Sequence, residues 1–226
     1  MQASIKGIKT EFESGTPHSR EDGDNDLNFY QKPRMLPHLD TQAQAELEGL
    51  YGQLLTKSNR ILDLMSSWQS HLPQNLDTSK VVGLGMNSEE LSLNPRLDQS
   101  LVHDLNQKPE LPFEDGNFDA VICSLSIEYL LQPVKVLEEA RRILVPGGLL
   151  LITFSNRWFP PKVIRTWTEL QEFERTGMVM QWLKEASGFR SLETSSLREL
   201  PRPWDDRYRK RSPFSDPIYA VWGYKK

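Results

Sequence analysis

Apolar residues in this chain fall into short, nearly continuous runs separated by amphipathic or polar stretches. The runs lie at 61–64, 80–84, 101–105, 118–125 and 149–154. A run of this length without strict alternation suits a strand covered on both faces, as in a parallel sheet whose crossovers pack against it. Between the last two runs, 132–144 carries Val134, Val136, Leu137, Ala140, Ile143 and Leu144 at helical spacing, and Gly147 and Gly148 lead into the next strand. Upstream, Asp40 and Thr41 read as an N-cap, followed by a helix to about residue 55 that lines up Ala43, Leu47, Leu50, Tyr51, Leu54 and Leu55. Residues 160–187 hold two further amphipathic helical stretches bearing Trp167, Leu170, Phe173, Met178, Trp182 and Leu183. Strands alternating with helices predict an open, doubly wound α/β sheet.

A chain of 226 residues fits one domain with extensions. Residues 1–28 are largely polar with almost no periodic apolar positions, and are expected to form a mobile arm. Residues 29–58 form a cap segment and helix, and 59–226 the main domain. No early apolar core follows Met1, and Glu11, Glu13 and Glu21 come early, unlike a targeting peptide. The single cysteine, Cys123, excludes an internal disulfide and suits a reducing, cytoplasmic setting. A formal net charge of −4 gives no global attraction to nucleic acid or anionic lipid, so neither is an expected partner. Four scattered histidines and one cysteine show no zinc spacing, and no metal is expected.

The segment LPFEDGNFDAVICSLSIEYLLQPVKVLEEARRILVPGGLLLITF, residues 111–154, closely resembles the second half of the core of the type 11 class I S-adenosylmethionine-dependent methyltransferases. In that family an acidic loop enters the fourth strand, a helix follows, and a PGG turn opens the fifth. GFRSLETSSL from Gly188 and PIYAVWGYKK from Pro217 resemble the last two strands. The resemblance implies a Rossmann-like, doubly wound, mostly parallel seven-stranded sheet with an antiparallel last strand. It also implies S-adenosylmethionine as cofactor.

Ligands of such sheets bind beyond the carboxyl ends of the strands. Family members place an acid and three alternating glycines after the first strand; here Asp63 is followed by Met65, Ser67 and Gln69 at those positions. The acid that would hold the ribose falls at Gly85, leaving Asn87, Glu89 or Glu90 to substitute. Asp104, with Leu105 beside it, matches the acid near the adenine amine, and Ser124 ends the fourth strand. Glu128 and Tyr129, with Asn156 and Arg157 in SNRWFPPK, are candidate acceptor residues. Methyl transfer is chiefly alignment of a good nucleophile, so no catalytic residue is assigned. Were a base needed, Glu128, Tyr129 and His103 are placed for it. The arm around Tyr30, Pro33, Arg34 and His38 is a candidate to close over the cofactor, with packing on the domain without a ligand as the equal alternative.

Two other signals are set aside. Gly83, Gly85 and Ser88 imitate a dinucleotide fingerprint without its third glycine, and that parse orphans the strand at 61–64. RPWDDRYRKR, from Arg202 to Arg211, mixes aromatic and basic residues but is diluted by Asp205 and Asp206, and reads as a solvated loop. The expected function is S-adenosylmethionine-dependent methylation of a small-molecule acceptor. The alternative is a catalytically inactive relative acting as a binding or regulatory module.

Overall fold

The computed structural model describes residues 18–55 and 60–226. Its helices are α1 (Asp26–Tyr30), α2 (Thr41–Leu54), α3 (Ser88–Ser92), α4 (Pro133–Ile143), α5 (Arg165–Glu169) and α6 (Glu172–Ala186). Its strands are β1 (Arg60–Ser66), β2 (Lys80–Gly85), β3 (Gln99–Val102), β4 (Phe118–Ser124), β5 (Leu144–Phe154), β6 (Phe189–Leu197) and β7 (Ile218–Lys225). They form one sheet in the order β3-β2-β1-β4-β5-β7-β6. Strands β1 to β5 pair in parallel, whereas β7 runs antiparallel to both β5 and β6. This is the Rossmann-like sheet that the sequence implies.

Successive side chains on a strand point to opposite faces. Ile61, Ala120, Ile122, Leu149 and Leu151 therefore meet α2 through Ala43, Leu47 and Tyr51. Leu62, Leu64, Val121, Leu150 and Ile152 face the other way, against Val136, Leu137 and Ala140 of α4 and Val179, Trp182 and Leu183 of α6. Both faces of β1, β2, β4, β5 and β7 are covered, which is why their apolar runs are continuous; the edge strand β3, read from the run at 101–105 as covered on both faces, is exposed throughout because nothing pairs beyond it. Asp40 caps α2 as expected, its Oδ1 accepting from the Ala43 amide at 3.0 Å. The third strand begins and ends earlier than the run at 101–105. Asp104 Oδ1 accepts from the amides of Asn106 and Gln107, turning the chain away from the edge.

Of the arm expected to be mobile, residues 1–17 lie outside the described residues, and residues 18–28 are docked. The His18 amide donates to the Leu131 carbonyl at 2.8 Å, and Arg20 bridges to Ile164. Lys162 is fully buried. Its Nζ lies 2.8 Å from Asp22 Oδ2 and 3.2 Å from Asp26 Oδ1, and donates to the Asp24 carbonyl at 2.9 Å. A buried ammonium must be paired, and this arm supplies the partners.

A second buried polar cluster joins the start of α2 to the β6–β7 loop. Arg202 reaches Asp216 Oδ1 at 2.6 Å and Asp40 Oδ2 at 3.4 Å, and its Nε donates to the carbonyls of Ser212 and Phe214. Burial opposes the charge on Asp40, but hydrogen bonds from the Asp216 and Ala43 amides and from Ser215, with Arg202 nearby, hold its carboxyl below its usual range. Among the described residues no helix is long and apolar enough to cross a membrane.

Glu128 sits in the 3-10 turn Ile127–Tyr129 with no exposed surface, and neither carboxylate oxygen has a hydrogen-bond partner. Burial pushes its acid up to about 8 from an ordinary 4.5.

Arg202→Met strands the Asp40 and Asp216 carboxylates without their buried cation, and urea unfolding should show a loss of about 3–5 kcal/mol. Glu128→Gln acts in the opposite direction. Folding takes up a proton at Glu128 between pH 4.5 and about 8, so stability falls as pH rises through that window. Thermal unfolding should find the amide variant more stable than the parent, by a margin that is small near pH 4.5, widens up to about 8 and is then constant.

Candidate functional site

A cleft of about 1050 Å³, its open mouth included, lies beyond the carboxyl ends of β1 to β4. Its floor begins at Asp63, which is 1% exposed. Asp63 Oδ2 accepts from Ser66 Oγ at 2.6 Å and from Ser70 Oγ at 2.5 Å. Ser70 Oγ in turn accepts from Asn94 Nδ2 at 2.9 Å. Burial pushes the Asp63 acid up to about 7, against the opposing pull of the two hydroxyls. Met65 occupies a bulge between Leu64 and Ser66 with φ 59°, the left-handed conformation that a glycine adopts without penalty.

The bulge brings Ser66 over the end of β2. A Cβ on Gly85 would lie 2.1 Å from the Ser66 carbonyl oxygen, so no side chain, acidic or otherwise, fits there. The missing ribose acid is thus a steric consequence of the rebuilt loop. Asn87 is spent on structure: Oδ1 caps α3 through the Glu89 and Glu90 amides, and Nδ2 donates to the carbonyls of Tyr30 and Gln31. Glu90 faces the cleft, accepting from Ser67 Oγ at 2.6 Å and from the Arg34 amide at 2.7 Å.

At the end of β3, Asp104 Oδ1 is used in its turn, but Oδ2 is buried without a partner. Leu105 lies beside it, buried. Asn106 cross-links this corner, donating to Asp26 Oδ2 and the Tyr129 carbonyl, each at 2.9 Å, and accepting from the Leu131 amide. At the end of β4, Ser124 Oγ lies 2.5 Å from Tyr51 OH, which also meets Thr153 Oγ1 at 2.9 Å. Tyr30, Arg34, His38 and Phe159 form the roof. The Arg34 guanidinium lies 4.3 Å from the Phe29 ring and 5.3 Å from Phe159. Burial lowers both roof-side histidines, taking His71 down to about 4, so neither carries charge at neutral pH.

The structure gathers Asp63, Met65, Ser67, Gly85, Asn87, Asp104, Leu105, Ser124 and Tyr129 around this one cleft. Three candidate acceptor residues are corrected. Glu128 is turned into the core, Asn156 is exposed outside the lining, and Arg157 Nε is held 3.0 Å from Asp216 Oδ2. None of the three candidate bases is free either. Glu128 lies in the core, and His103 Nε2 is 2.7 Å from the Lys108 carbonyl. The Tyr129 hydroxyl accepts from the Phe159 amide, and burial raises it well above 10. Asp26, Trp68 and Asn106 line the cleft unforeseen. For Asn106, the turn-forming pattern Asp-Leu-Asn after a strand is a legible signal. Among the described residues no group of three or more His, Cys, Asp or Glu is arranged to hold a metal ion.

The methyltransferase domain family matches residues 67–152. Among curated proteins, a malonyl-acyl-carrier-protein O-methyltransferase of Marinomonas is 26% identical over 185 residues, 74% of this chain and 66% of that protein. A ubiquinone/menaquinone biosynthesis C-methyltransferase of Brucella anthropi is 35% identical over 99 residues, 42% of this chain and 36% of that protein. The chain therefore spans just under two thirds of the first and about a third of the second. Among solved structures, a methyltransferase of Thermotoga maritima superposes with TM-score 0.57 at 19% identity, covering 81% of this chain and 89% of that one. Residues 67–152 thus match the methyltransferase domain family, and the seven-stranded sheet has the Rossmann-like fold of class I S-adenosylmethionine-dependent methyltransferases.

Proposed function

We propose that the protein binds S-adenosylmethionine in this cleft and methylates a small-molecule acceptor. The observation that carries the reading is Asp104 Oδ2, a carboxylate oxygen buried at the cleft wall with no partner of its own. Such a group is costly unless something donates to it, and an adenine amine is a fitting donor. Asp63 lines the other end of the floor, and in this reading it receives the ammonium group of the cofactor's amino acid part. Glu90 takes the place of the ribose acid excluded from position 85, and Leu105 packs beside the base.

When bound, the cofactor supplies a methyl group activated by a sulfonium. The protein's part is alignment and exclusion of water. Tyr30, Tyr129 and Phe159 close the roof, and the neutral His38 and His71 add no positive charge to repel the sulfonium. The relatives act on a carrier-bound malonyl group and on quinones, by their names. Both names point to a small acceptor group, carried on a protein in the first case. The only cysteine, Cys123, is buried, and burial pushes its thiol up to about 12, which makes it inert and suits a cytoplasmic setting.

A second reading, a catalytically silent binding module, is favoured by Met65 and by the Ser67–Glu90 bond, both of which fill the cleft with protein. Titration calorimetry with S-adenosylmethionine and S-adenosylhomocysteine separates the two. Binding weakened about ten- to a hundredfold by Asp104→Ala supports the enzyme. No heat at millimolar cofactor would sink that reading and leave the module.

The acid at position 63 predicts the pH dependence. Only ionised Asp63 attracts an ammonium group, so affinity should rise about tenfold per pH unit up to about 7 and level off above it. Calorimetry across that range should show the slope in the parent and a flat profile in Asp63→Asn.

A further inference from the structure

The loop between β6 and β7 leaves the body of the protein with its aromatic residues outermost. Trp204 is 83% exposed and Phe214 53%. This is not slack chain. Arg202, two residues from Trp204, is buried and bonded to Asp216, Asp40 and two carbonyls of the loop itself. Pro201 pairs with Phe214 as a short antiparallel bridge, so Phe214 is held opposite a fixed neighbour. The excursion between them is folded into turns, closed by the Arg209, Arg211 and Ser212 amides.

Four cations, Arg207, Arg209, Lys210 and Arg211, are exposed on the same loop, and none forms an ion pair among the described residues. Of the two acids that dilute the run, Asp206 turns inward, accepting from the Tyr208 amide and lying 3.4 Å from Arg202. Asp205 alone stays outward. The outer face is therefore locally cationic on a chain of net charge −4.

The loop also adjoins the cleft. Arg157 lies over the Tyr208 ring at 5.7 Å and is paired with Asp216. Phe159, two residues on, forms part of the cleft roof, with His38 edge-on at 5.5 Å. Leu36, two residues before His38, is 68% exposed.

We propose that this loop docks the protein on an anionic lipid surface, Trp204 and Phe214 entering the headgroup boundary and the four cations meeting lipid phosphates. An indole standing out of the surface beside unpaired arginines suits the interface of a bilayer, where a ring with one apolar and one polar edge is at home. A nucleic acid is the poorer fit, because four cations supply few phosphate contacts against the repulsion of the whole chain. The net charge of the whole chain hides this patch, which only the inward turn of Asp206 and Arg202 exposes. If the cleft methylates, as proposed above, an acceptor dissolved in the lipid reaches its mouth directly; the docking itself does not depend on that reading.

The full chain is sedimented with vesicles of phosphatidylglycerol and phosphatidylcholine, and with phosphatidylcholine alone, at low and high salt, without cofactor. Binding to the anionic vesicles only, reversed by salt, is the expected result. Arg209→Gln and Lys210→Gln should each weaken it about fivefold, and Trp204→Ser by a comparable factor, with unchanged circular dichroism. Parent chain that stays in solution with both vesicles, variants that bind like the parent, or binding to polyglutamate or single-stranded DNA but not to vesicles would overturn the proposal. Because no cofactor is present, failure here is distinct from failure of the calorimetric test.

Discussion

Asp63 ends a central parallel strand with its carboxylate closed off from water, and the hydroxyls of Ser66 and Ser70 converge on one of its oxygens. A buried carboxyl of this kind must be hydrogen-bonded, and its two donors lie three and seven residues further along the chain. Satisfying it therefore folds the loop after β1 back on itself. That fold places Ser70 where Asn94 can reach it, brings the Ser66 carbonyl against Gly85, and leaves Ser67 within reach of Glu90. The shape of the cleft on the β1 and β2 side follows from one acid and the serines that answer it.

The same logic holds the cleft shut from above. Lys162 and Arg202 are cations that the fold buries, and each draws a carboxylate from a segment distant in sequence. Lys162 gathers Asp22 and Asp26, which pins α1 over the β3 corner, where Asn106 meets Asp26. Arg202 gathers Asp40 and Asp216, which fixes the start of α2 and with it the segment carrying Arg34 and His38. Buried ion pairs add little net stability over apolar packing, but removing one partner is costly. They act here as registration points for segments with few apolar residues of their own.

The middle of the sheet was legible because its strands are buried on both faces, and continuous apolar runs such as 149–154 leave little else for the chain to do. The family motif fixed the strand ends, and with them Asp63, Asp104, Ser124 and Tyr129 at the cleft. What could not be read was the direction of side chains in loops. Glu128 follows a buried strand and looks like a cleft residue, yet the 3-10 turn rotates it into the core. Arg157 stands at the mouth of the cleft in sequence, but Asp216, 59 positions away, holds its guanidinium. The docked part of the arm was missed for a related reason. Its polarity is matched by one buried lysine, whose burial no local pattern reveals.

The replacement of the glycines can be read as loss of a site or as its rebuilding. Six described residues other than glycine have positive φ, and three of them, Met65, His71 and Leu125, line this cleft. Each costs on the order of 1–2 kcal/mol, and such strain persists only where the surroundings hold it in place. The surroundings that hold Met65 and His71 are the hydrogen bonds of Ser66 and Ser70 to Asp63, of Asn94 to Ser70 and of Ser67 to Glu90, which brace the loop after β1. Relaxation of the loop would also free Gly85 to accept a side chain, and the acid the family places there could return. Closure of the loop and loss of that acid are one structural event, since the Ser66 carbonyl that the closed loop brings over β2 is what bars a side chain at position 85.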